Sequence, residues 1–102
     1  MEIPEHYKKF SGKYPDLMKA YENLGSEVHK SGPLDDKTRA LIKLAVSTGA
    51  GMEGAVHAQV RKALDAGISP EEIRHTVILS FPTIGFPAMM AALSWVNDLL
   101  ND

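Results

Sequence analysis

Residues 52–72 read Met52-Glu-Gly-Ala-Val-His-Ala-Gln-Val-Arg-Lys-Ala-Leu-Asp-Ala-Gly67-Ile-Ser69-Pro-Glu-Glu72, and this stretch decides the fold class. Its first part predicts a helix from Met52 to Ala66, with Gly67 taking the left-handed conformation that stops helices. Positions 52, 55, 56, 59, 60 and 63 share one stripe of that helix, and all but Gln59 are apolar. Ser69-Pro70-Glu71-Glu72 then starts a second helix. The serine caps, proline fits the first turn, and Glu72 reaches back to the cap. A periodic stripe, a glycine stop and a capping box in that order describe two consecutive helices.

The flanking sequence repeats the pattern. Upstream, Asp35 can cap a helix, with Leu34 before it as a hydrophobic staple. That helix places Leu41, Leu44, Ala45 and Thr48 on one face and breaks at Gly49-Ala-Gly51. Earlier still, Pro15 opens a helix to about Lys30, whose Leu17, Tyr21, Leu24 and Val28 form an apolar stripe. Residues 4–12 fit a short helix interrupted at Ser11-Gly12. Downstream, Ile73, Val77, Ile78 and Phe81 are expected to form a buried stripe. After a break at Pro82–Gly85, Pro87 starts the last helix, which carries Met89, Met90, Leu93, Val96 and Leu99. No segment alternates with period two, so the fold class is all-α, a bundle of about five to six helices.

Composition narrows the function classes. With 102 residues, 44% hydrophobic and 24% charged, the chain fits one domain with a modest core. A net charge of −2 without a basic patch argues against nucleic-acid binding. The absence of cysteine excludes thiol nucleophiles, thiolate metal ligands and dithiol relays. Residues 76–96 carry no charge, but Pro82, Gly85 and Pro87 break them into pieces too short to span a bilayer. The start of the chain, MEIPEHYKKF, has charges where a signal peptide has its apolar region, so the expected location is cytoplasmic.

Three stretches together resemble the carboxymuconolactone decarboxylase / AhpD-like family: residues 34–46, residues 52–67, and Ser69-Pro-Glu-Glu-Ile73 leading to Ile84-Gly-Phe-Pro-Ala88. They cover most of residues 34–96. The resemblance implies an AhpD-like helical domain over residues 1–102, assembled as a trimer or hexamer with pockets at subunit boundaries. Redox members carry a glutamate and, twelve positions later, a Cys-x-x-Cys-x-x-x-His run. In register, the glutamate position is Ala40, the cysteines are Met52 and Ala55, and the histidine is Gln59. Decarboxylating members keep the histidine, so this chain departs from both branches. Glutamine binds and orients ligands but is no acid or base near neutral pH.

The remaining candidates each have two readings. Glu53, His57 and Arg61 form an i, i+4, i+8 row. It is either a helix-stabilising charged ladder or a row facing a subunit boundary, where Glu53 would tune the imidazole. His57 does not replace Gln59, because two residues turn a helix by about 200°. Gln59 itself is either a satisfied core or interface amide or a ligand contact. Met89, Met90, Phe81, Phe86 and Trp95 read as core or oligomer interface rather than as a pocket. His6, His29 and His75 show no ligand spacing, although Glu71 and His75 are i, i+4, so no metal site and no cofactor are expected. Gly49-Ala-Gly51 lacks the lysine and the preceding strand of a phosphate loop, and Ser47 and Thr48 have no histidine in register.

Two functions follow. The first is a non-redox, degenerate, homo-oligomeric member of the family that binds a small molecule. The alternative is an enzyme of the peroxidase or lactone decarboxylase type at a subunit-boundary pocket, with Glu53, His57 and Arg61 as its catalytic candidates. Neither involves nucleic acid or a membrane.

Overall fold

A computed structural model describes residues 3–100, in two compact units that divide after Pro33. All regular structure among the described residues is helical, as the periodicity predicts. The first unit holds α1 (Glu5–Lys13) and α2 (Pro15–Lys30). The second holds α3 (Asp36–Ala50), α4 (Glu53–Asp65), α5 (Pro70–Ile78), the four-residue α6 (Phe81–Ile84) and α7 (Phe86–Asn97).

In the first unit the break falls at Tyr14, not at Ser11-Gly12. Tyr14 lies outside the helical region at φ −128° and ψ 64°. The ring of Pro15 disfavours helical backbone in the residue before it, and this outweighs the small propensity cost of Gly12. The Tyr7 hydroxyl meets the Met18 sulfur at 3.4 Å, and Phe10 and Tyr14 stack at 5.3 Å between centroids. The predicted stripe of α2 does form, but Leu17, Tyr21, Leu24 and Val28 are 58–62% exposed.

The second unit has a continuous core. Ala40 and Leu44 of α3, Val56, Val60 and Ala63 of α4, Ile73 and Val77 of α5, and Met89, Ala92 and Val96 of α7 close on one another, with Ile68 and Leu100 at its ends. The α3–α4 pair makes its most extensive interface. Small and β-branched residues on α4 let the helices approach closely.

Local signals set the helix ends. Asp35 accepts a hydrogen bond from the Thr38 amide at 2.8 Å. That backbone bond, and then the bond to the Thr38 side chain, hold the Asp35 carboxyl below its ordinary pKa. Leu34 is exposed and no staple forms, because its partner position is Arg39, whose guanidinium donates to the Leu34 carbonyl and to Asp36. Gly51 and Gly67 close α3 and the α4 turn at φ 68° and 84°, which side chains disfavour. The capping box is complete: the Glu72 amide donates to Ser69 Oγ at 3.1 Å, and the Ser69 amide donates to Glu72 Oε1 at 3.0 Å. The Ser69 amide first, and then the Ser69 side chain, hold the Glu72 carboxyl below the usual carboxylate range.

Two packing expectations are corrected, and a third is refined. Ala45 is exposed, while Ala40 and Ser47 take the buried side of α3 with Leu44 and Thr48. Ile78 and Phe81 are exposed: Ile78 stands about 100° around α5 from the buried Val77, and the chain turns between the end of α5 and Phe81, so the stripe stops at Val77. The methionine–aromatic group divides. Met89 is core and Trp95 packs beside it, whereas Phe81, Phe86 and Met90 face outward, the two rings 5.4 Å apart.

Replacing Ser69 with alanine removes the cap and costs about 1 kcal/mol, read as a lower urea midpoint at unchanged slope. Leu44→Ala, at a fully buried position, costs about 2–5 kcal/mol in the same measurement. The acid side also carries a sign. Glu72 is depressed when folded, so its contribution is present above its unfolded pKa and lost as pH falls through the folded one. Ser69→Ala removes only the hydroxyl's share of that depression, because the Ser69 amide remains, and so reduces without abolishing the loss of stability on acidification.

Candidate functional site

Helix α4 organises both sets of candidate residues. Val56, Val60 and Ala63 are fully buried and define its inward direction. At about 100° per residue, Ala55 and Gln59 lie on one side of that direction, and Glu53, His57 and Arg61 on the other. The exposures agree: Ala55, Gln59, His57 and Arg61 are all half-buried, the shoulders of a helix whose centre line is sealed.

On the first flank, Ala40 is buried in the core opposite α4, and Met52 is the N-cap residue with its side chain 60% exposed. The predicted helix start at Met52 is thus one residue early; α4 begins at Glu53. Gln59 is not a fully buried amide, so the demand for an internal partner is relaxed, and water can reach it. Ala40, Met52, Ala55 and Gln59 offer no thiol, carboxylate or imidazole. Next along α3, Lys43 is partly buried; burial first, and then the charges of Lys62 and Arg39, lower its pKa. Deeper in α3, the Ser47 hydroxyl donates to the Lys43 carbonyl at 2.9 Å, while the Thr48 hydroxyl is sealed in the core without a partner.

Residues 15–98 match the family described as the carboxymuconolactone decarboxylase family. The chain belongs to that family. Two uncharacterized proteins of Methanocaldococcus jannaschii are 31% identical to it. One aligns over 88 residues, 86% of this chain and 82% of the relative. The other aligns over 96 residues, 93% and 92%. An uncharacterized protein of Haemophilus influenzae is 37% identical over 66 residues, 61% of this chain and 58% of its own length. The match begins at the first residue of α2, so the family pattern reaches further upstream than the stretches that first suggest it.

On the second flank, the charged row acquires a member that the sequence did not suggest. Asp98, the C-cap residue of α7, places Oδ2 at 3.0 Å from His57 Nε2. Glu53, one turn before His57, brings its carboxylate to the same place. Three potential ligand atoms, one each from Glu53, His57 and Asp98, lie within 4.8 Å of one another. His57 and Asp98 are 41 residues apart, and no local spacing rule links them. The single hint was the position of Asp98 near the end of the last predicted helix. Arg61 shares the row as expected.

The purified chain is expected to consume no peroxide above background with a dithiol donor, because every thiol of the relay is missing. Turnover in that assay overturns the loss of redox chemistry. A double-mutant cycle on His57→Ala and Asp98→Asn is expected to give a coupling of about 0.2–1 kcal/mol, as for a part-exposed pair.

Proposed function

We propose that this protein is a single-domain, homo-oligomeric, non-redox member of the family that binds a small molecule on the flank of α4 bearing Ala55 and Gln59. One observation carries the reading. That flank stays partly open to solvent, holds an amide able to orient a ligand, and has lost the ionisable groups of the family's chemistry. Binding without turnover is what such a surface supports best.

Assembly is supported by the exposed apolar residues. Leu17, Tyr21, Leu24 and Val28 form a complete helical stripe without cover, and Phe81, Phe86 and Met90 add a second apolar area. Contiguous patches of this kind mark interfaces more often than free surface. Trimers or hexamers, the family's habit, would place the Gln59 flank at a subunit boundary. No helix among the described residues is long and apolar enough to cross a membrane.

A second reading has its own observation. An imidazole paired with a carboxylate is the arrangement that orients a general base. In a lactone decarboxylase reading, the His57–Asp98 pair would serve a pocket on a neighbouring subunit, with Glu53 and Arg61 beside it; a peroxidase reading would need thiols from another protein.

Light scattering on the purified chain is expected to return a multiple of the 11.1 kDa protomer, and Leu24→Glu to reduce it. A monomer at every concentration sinks the assembly. In a ligand-observed NMR fragment screen, binders are expected to lose contact in Ala55→Trp, which fills the flank. Binders indifferent to that substitution place the ligand elsewhere.

A further inference from the structure

We propose that Glu53, His57 and Asp98 form a site for a divalent metal ion of the zinc class. The site is distinct from the family's reactive positions and lies on the opposite flank of α4. Two structural elements converge on it. Glu53 and His57 are one turn apart on α4, and Asp98 closes α7, which packs against α4. The donor set is one imidazole nitrogen and two carboxylates, a neutral partner and two negative charges facing one dication.

The geometry is close to what an ion requires. Zinc binds nitrogen and carboxylate oxygen at about 2.0–2.2 Å, so tetrahedral donors stand roughly 3.3–3.6 Å apart. The Nε2–Oδ2 separation of 3.0 Å is already near that edge, and every donor lies within 4.8 Å of the other two. Small rotations of two solvent-facing carboxylates close the remainder; Asp98 is 55% exposed, whereas the His57 side chain is only 23% exposed and so is held by its neighbours. An ion there would sit between Nε2 and Oδ2 and replace their direct contact.

The chemistry selects the metal class. Magnesium and calcium take oxygen donors almost exclusively, whereas an imidazole favours zinc and its first-row neighbours. Three protein ligands leave a fourth position for water, the composition of an open rather than a structural site. Arg61, one turn further along the row, is the one cation of the ladder, and the two carboxylates outnumber it.

The test uses the full chain and the metal alone. Cobalt titration followed by visible absorption, and zinc titration by calorimetry, are expected to show saturable binding of one ion per chain. His57→Ala, Glu53→Gln and Asp98→Asn are each expected to weaken it at least about tenfold. His75→Ala and Ala55→Trp, off the site, are expected to leave it unchanged, and circular dichroism confirms that each variant is folded. Absence of saturable binding at millimolar metal overturns the site, as does undiminished binding by folded His57→Ala. Binding lost in His75→Ala instead assigns the metal elsewhere and also overturns it. Because Ala55→Trp separates the two flanks, failure here leaves the ligand reading of the Gln59 flank standing, and the reverse also holds.

Discussion

The second unit depends on the close approach of α4 to its neighbours. Val56, Val60 and Ala63 are fully buried, and Leu44 of α3 is equally sealed against them. The three on α4 are two valines and an alanine, and a core sealed this fully tolerates little change in volume. The same contact fixes the rotation of α4 about its axis. Once three residues point inward, every other residue of the helix has its direction assigned. The two flanks, and hence the two groups of candidate residues, are consequences of that choice.

Features carried by neighbours in sequence were legible from the sequence itself. The capping box at Ser69 and Glu72, the Asp35 cap and the left-handed Gly67 all involve partners within a few residues, where spacing fixes geometry. Periodicity likewise gave the buried Ile73, Val77, Met89 and Val96. It failed where an element ended. Phe81 continues the pattern on paper, but α5 has stopped before it, and Ile78, the last residue of α5, is turned about 100° from the buried Val77. Tyr14 shows the complementary error, a break set by the ring of the following proline and not by the glycine two residues earlier.

The candidate site divides along the same line. The register of Ala40, Met52, Ala55 and Gln59 rests on family pattern and helical phase, both of which are sequence properties. The pairing of His57 with Asp98 rests on where the end of α7 meets α4, a tertiary fact that no spacing of 41 residues encodes. Spacing alone links only Glu53 and His57, which stand one helical turn apart.

The separation of the flanks bears on whether His57 can stand in for the histidine of the family pattern. Replacement of the relay's cysteines, glutamate and histidine does not by itself make His57 a substitute. His57 is turned about 200° from Gln59, and the sealed stripe of Val56, Val60 and Ala63 runs between them. No rotamer carries the imidazole across the core face of its own helix. Chemistry at His57 would therefore need its own substrate access, from the α7 side, and its own electrostatic support, which Glu53 and Asp98 supply. The old site can be silent while the new cluster is either inert or active, because the helix that holds both keeps them physically independent.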